Sequence, residues 1–153
     1  MKLPVNIKQM LLSKCYEYVE QRIDTSRQAM NDAQASANEE GKSSAGDKYE
    51  TGRAMAQIER DKAAQQLDEA LKLKSVLNTI NSSLANDVVT LGGLVMTESD
   101  NFYLAISIGR VNVDGFDFLV IAPTSPIGQS LLKLKKGNQF SFNRKVQVIQ
   151  EIL

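Results

Sequence analysis

The chain has 153 residues, 42% hydrophobic and 24% charged, with 18 basic and 18 acidic side chains. That balance fits one soluble domain or two small ones and excludes nucleic-acid binding by bulk charge, so any electrostatic role rests on local asymmetry. The absence of histidine and the presence of a single cysteine, Cys15, exclude Ser-His-Asp and Cys-His nucleophiles, histidine or multi-thiolate metal sites and any internal disulfide.

Pro4 suits the entrance of a helix, where a backbone N–H is not needed. Helix one is expected from about Val5 to Glu39, ending at Gly41 as a left-handed cap. Cys15, on this helix, is expected to be a small buried hydrophobe. Residues 41–46 read as a turn, and Asp47 with Glu50 reads as a capping box that opens helix two, which continues to about Leu84. The composition up to that point is rich in Ala, Gln, Glu, Lys and Leu, good helix formers.

Two long helices across a short loop must lie antiparallel. Folding about Ser44 pairs Met30 with Ile58, Ala33 with Met55, Cys15 with Leu73 and Leu11 with Leu77, an apolar seam of coiled-coil type. Arg22 and Ile23 against Gln65 and Gln66 form its weak stretch. At ~1.5 Å per residue the hairpin is about 50 Å long, too long to bury within so small a protein. Ala29, Ala33, Ala35, Ala37, Ala54 and Ala56 keep its distal half slim.

The composition changes near residue 85, giving a hairpin domain over 1–84, with its tip at about 39–50, and a β-domain over 86–153. Strands are expected at 87–91, 94–97 and 102–108, and at 111–113 and 118–122 around the hairpin signal Asp114-Gly115. Ser125-Pro126 caps a short helix from Ile127 to about Leu132. Lys136-Gly137-Asn138 turns into strands at 140–142 and 146–152, joined by Asn143-Arg144. Leu94, Phe102, Ile106, Leu119, Ile121, Phe140 and Ile149 are the expected core. The class is α+β, an antiparallel two-helix coiled-coil hairpin followed by a small antiparallel β-domain with one short helix.

The segment from Val120 to Leu132, with its strand, its Ser125-Pro126-Ile127-Gly128 helix start and its Leu131-Leu132 pair, followed by the turn Lys135-Lys136-Gly137-Asn138, resembles the C-terminal domain of the Gre family of bacterial transcription factors. The order of helical hairpin and β-domain is similar too, so the resemblance spans nearly the whole chain and implies an FKBP-like C-terminal domain. It further implies a monomeric partner of RNA polymerase, with no catalytic site of its own, that docks through Ser125, Pro126, Ile127 and Gly128. The hairpin would enter the secondary channel and modulate pausing or stimulate cleavage of backtracked RNA, meeting nascent RNA only indirectly. Tip acids of that family help to hold a catalytic Mg²⁺ shared with the polymerase, a hard cation suited to carboxylates.

At the tip this sequence departs from the family pattern. Aligned on Tyr49, the usual acid pair falls on Lys42 and Ala45. Between Asn31 and Glu50 there are still five acids against two lysines. Asp47 or Glu50, helped by Glu39 or Glu40, could replace the missing pair from a shifted register. Alternatively Asp47 and Glu50 serve the helix N-terminus, which leaves a channel binder without cleavage activity. Arg22, Arg27, Arg53 and Arg60 could face RNA or simply form a solvated helix surface. Lys133, Lys135, Lys136, Arg144 and Lys145 form a basic cluster with no acid over 133–145. A prolyl isomerase and a coiled-coil adaptor are the competing functions; the first is disfavoured by the absence of a tryptophan to floor its pocket. With no run of about 20 apolar residues and no signal-peptide core after Met1, the expectation is a cytoplasmic protein without membrane association.

Overall fold

The computed structural model describes residues 2–40 and 46–153, and side chains over 2–39 and 50–153. The expected cap at Gly41, the turn residues 41–45 and the side-chain capping by Asp47 lie outside these. The fold is α+β: two long helices, α1 (Ile7–Glu40) and α2 (Gly46–Asn78), precede β1 (Leu94–Met96), β2 (Asn101–Leu104), β3 (Gly109–Val113), β4 (Phe116–Ile121), α3 (Pro126–Leu131), β5 (Gln139–Phe142), β6 (Lys145–Val148) and β7 (Glu151–Ile152). Two compact units result, one of residues Tyr18–Lys74 and one of residues up to Glu17 together with Ser75–Leu153.

In the first unit α1 buries Val19, Ile23, Ser26, Ala33 and Ala37, with Met30 half-buried, at alternating spacings of three and four beyond Ile23. That is the seam periodicity of a coiled coil. Its counterpart on α2 is Ala56, Ala63 and Ala70, one heptad apart, and the same spacing reaches the buried Leu77 in the other unit. The arms are antiparallel, with an ion pair of 2.6 Å from Lys74 Nζ to Glu20 Oε1.

The expected pairings need correction here. Folding about Ser44 would set Glu20 opposite Asp68, nearly two turns from the partner it has. Met55 and Ile58, expected inside, are 56% and 63% exposed. Ile23 is buried, whereas Gln65 and Gln66, its expected partners, are exposed. Side chains on a helix slant toward its N-terminus, and in an antiparallel pair the two slants run in opposite directions. Contacts therefore join residues that are offset along the axes, and alanines fill the positions that backbone height alone assigns to larger residues.

In the second unit the helix ends differ from expectation. α1 starts at Ile7 rather than Val5, after a turn in which Ile7 N–H donates to the Pro4 carbonyl at 3.2 Å. α2 stops at Asn78, short of Leu84. Beyond it the Thr79 hydroxyl donates to the Val76 carbonyl at 2.7 Å, and Asn81 Oδ1 accepts from Ser83 N–H at 3.1 Å and from the Ser83 hydroxyl at 2.6 Å. Such short polar side chains offer the backbone alternatives to helix. Cys15 is fully buried, as expected.

The main sheet has the order β3-β4-β2-β1-β7, with β5 and β6 as a separate two-stranded sheet. Most pairs are antiparallel, as expected, and β2 pairs with β4 in parallel. The expected strand 102–108 ends at Leu104, where the chain leaves to form β3. β3 turns back through Asp114 (φ 55°) and Gly115 (φ 84°), which places β4 beside β2. Residues 87–91 are not a sheet strand: Val89 exchanges backbone bonds of 2.9 Å with Lys133 and Leu134, the segment that follows α3. The strand expected over 146–152 is interrupted between β6 and β7, where Gln150 N–H turns to the Met96 carbonyl at 2.8 Å and β7 joins β1.

The core of this sheet contains Val89, Val95, Phe102, Leu104, Ile121, Leu131, Phe140 and Ile149. Phe102 meets Phe140 and Phe142 edge-on at centroid distances of 5.6 and 5.4 Å, the geometry that the ring quadrupoles favour. Leu94, Phe102, Ile106, Ile121, Phe140 and Ile149 are buried as expected, while Leu119 is only half-buried.

The seam sets a contrast that chemical denaturation followed by circular dichroism can measure. Ile23→Ala leaves a cavity at a buried seam position and costs about 2–4 kcal/mol. Ile58→Ala, on the exposed face, changes stability by less than about 0.5 kcal/mol.

Candidate functional site

α3 and the loop before it form the best-defined local structure among the residues singled out above. β4 delivers the chain to Ala122, and Ser125 then caps α3 from an extended conformation. Its Oγ accepts from Gly128 N–H at 3.1 Å and donates to the Ala122 carbonyl at 2.6 Å. Pro126 occupies the first helical turn, where its ring fits and its missing N–H is not needed.

Gly128 lies against the Ala122 carbonyl and the Pro123 backbone so closely that a Cβ would collide with both. Only glycine lets the helix start fold back onto the end of β4. Ile127 packs, half-buried, against the sheet core. Three of the four residues expected to dock a partner thus have structural roles of their own. Pro126, with its neighbours Gln129 and Ser130, supplies the exposed surface. The sequence did contain the signal for Gly128, a glycine three residues after a capping serine; what it packs against was not legible.

Lys133, Lys135, Lys136, Arg144 and Lys145 are all exposed. Lys133 (φ 70°) carries the chain out of α3, and Arg144 (φ 64°) shares a left-handed turn with Asn143 (φ 52°) between β5 and β6. Lys145 Nζ donates to Ser99 Oγ at 2.6 Å, which ties the β5–β6 hairpin to the turn between β1 and β2. Beside it the buried Thr97 hydroxyl meets Gln147 Oε1 at 2.7 Å, and Gln147 Nε2 donates to Asp100 Oδ2 at 2.9 Å.

On the helical pair, Arg22 is half-buried and lies 5.8 Å from the ring centroid of Tyr18 one turn earlier on its own helix. Arg27, Arg53 and Arg60 are exposed. Of the acids expected at the tip, Glu39 and Glu50 are exposed, at the end of α1 and the first turns of α2. The side chains of Glu40 and Asp47 lie outside the described residues. Among the described residues no group of three or more acidic or cysteine side chains is placed to hold a metal ion, and no helix is long and apolar enough to cross a membrane.

Burial pushes the Cys15 thiol from its ordinary 9.0 up to about 12 and raises the Tyr103 hydroxyl well above its ordinary value. A thiol so placed is neutral and shielded, the opposite of an activated nucleophile.

No family model and no curated protein matches the chain. Among solved structures, that of the transcription factor Gfh1 is similar over 90% of this chain and 92% of that one, with 19% identity and a TM-score of 0.36.

Measurements of stability and of thiol labelling check these roles. Gly128→Ala should destabilise the fold by at least about 2 kcal/mol, because backbone must move to admit the methyl group. Ser125→Ala should cost about 1 kcal/mol, the usual loss of a capping side chain. For Cys15, a disulfide reagent at pH 8 should label the denatured chain completely and the native chain hardly at all. Because the unfolded thiol ionises first, its contribution to stability is complete below pH 9.0 and is lost between there and about pH 12.

Proposed function

We propose that this protein regulates RNA polymerase in the manner of the Gre factors, docking through the sheet-bearing unit and passing its helical pair into the secondary channel. The observation that carries this reading is the Ser125–Gly128 helix start. Serine caps the helix, proline occupies its first turn and glycine sits against the end of β4, in the segment whose sequence resembles the Gre C-terminal domain. The alanine seam of α1 and α2 supports it, because small residues on both arms allow close approach. Pro126 and the cations Lys133, Lys135, Lys136, Arg144 and Lys145 would meet an acidic polymerase surface, and Arg22, Arg27, Arg53 and Arg60 would lie toward RNA.

The donor chemistry at the helix ends fits a hard divalent cation. Glu39 and Glu50 are exposed carboxylates, and with Asp47 and Glu40 they would be the ligands this chain contributes to a Mg²⁺ shared with the polymerase. The ion, when bound, would stabilise the negative charge that develops during phosphodiester hydrolysis. The factor would supply carboxylates while the polymerase remains the enzyme. The second reading, a channel occupant without cleavage, is favoured by Lys42 and Ala45 at the positions of the usual acid pair. Asp47 and Glu50 would then only favour the positive end of α2.

A stalled, backtracked elongation complex of the cognate polymerase, with 5′-labelled RNA, separates these readings. Shortened RNA that disappears when Asp47 and Glu50 are both changed to Ala identifies a cleavage factor with a relocated acidic tip. Full-length RNA with the protein bound, released by Pro126→Glu, identifies the channel occupant. Failure to bind polymerase at all overturns the assignment.

A further inference from the structure

In the sheet-bearing unit an open groove of about 820 Å³ runs between the segment that enters α1 and the segment that follows α2. Part of its wall is apolar, with Leu3, Val5, Leu84, Met96 and Phe116 among the lining residues. That volume lies within the usual range for a small-molecule site, about 300–1,000 Å³. Polar residues line it too, and one charged side chain among them, that of Lys8, is buried. Lys8 is 8% exposed, and its ammonium donates to the Leu84 carbonyl at 2.8 Å.

An ammonium has three N–H donors, and among the described residues this carbonyl is the partner found for Lys8. No carboxylate comes within ion-pair distance of it among those residues. Glu151 and Lys2 also line the groove, and their charges offset each other. A cation buried without a counterion is costly, and burial holds the Lys8 pKa below its ordinary value. An anion delivered into the groove would relieve that cost.

We propose that this groove binds an amphipathic carboxylate, its acid group on the Lys8 ammonium and its hydrocarbon tail along the apolar wall. The charge selects the head group: an amine would be repelled, and a neutral alcohol would leave the ammonium without a counterion. The tail gains from removal of apolar surface from water. This site uses none of the residues assigned to polymerase docking and stands whether or not that assignment does.

The test titrates decanoate, and separately decanol, into the full-length ¹⁵N-labelled protein below the concentration at which either aggregates. Decanoate should shift the backbone amides of residues 5–9 and 82–85 and bind at least about tenfold more tightly than decanol, as a charge-assisted bond implies. Lys8→Met should abolish that preference, and Lys8→Arg should retain it. Should Lys8→Met fail to fold, Ser83→Glu, which adds a negative charge at an exposed position of the wall, should weaken decanoate and leave decanol unchanged. Equal affinity for the two ligands, no shift in those residues, or unweakened decanoate binding in Lys8→Met and Ser83→Glu would overturn the proposal.

Discussion

Three buried alanines one heptad apart on α2 set how closely the two helices of the pair can approach. Ala56, Ala63 and Ala70 present only methyl groups to the seam, where α1 buries the larger Val19 and Ile23. Small residues stand on both arms, Ala33 and Ala37 on α1 facing the seam as Ala56, Ala63 and Ala70 do on α2. This seam leaves the larger apolar side chains of the distal part of α2 without a place inside, and Met55 and Ile58 face solvent. The same small residues that make close approach possible make the position of every large one consequential.

A comparable constraint operates at α3. The helix is short, and it is held at its start by the Ser125 cap and by the contact of Gly128 with the Ala122 carbonyl. These two features fold the chain back onto the end of β4 and send Leu131 into the core. Pro126 is presented to solvent as a by-product of that geometry. A docking role for the segment and a structural role for most of its residues are therefore compatible, because different atoms serve each.

The buried polar groups of the sheet-bearing unit fall into two kinds. Thr97, Gln147 and Asp100 satisfy one another and fix the β5–β6 hairpin against the β1–β2 turn. Tyr103 and Lys8 are less well served. The Tyr103 hydroxyl has no partner among the described residues, and the Lys8 ammonium has a single carbonyl. Satisfied networks rigidify a fold, whereas under-satisfied groups are where a ligand or water has most to gain. Of the two, Lys8 is the one that lines the groove, which is why the proposed carboxylate is assigned to it and not to Tyr103.

The sequence alone determined the elements whose causes are local. Long runs of helix formers specify α1 and α2, Asp114-Gly115 specifies the β3–β4 turn, and Ser125-Pro126 specifies the start of α3. The expected core of the β-domain also held, Leu119 excepted. What only the tertiary structure decided depends on neighbours distant in sequence. The helix register escaped because side-chain slant displaces contacts from backbone height, a property of two helices together. The parallel pairing of β2 with β4 follows from where the β3–β4 hairpin inserts, which no alternation pattern encodes. Val89 leaves the sheet because Lys133 and Leu134 satisfy its backbone, and the Lys8 groove exists only because segments some 75 residues apart in the chain meet there. Local chemistry is written in the order of residues; which surfaces those residues share is settled by packing.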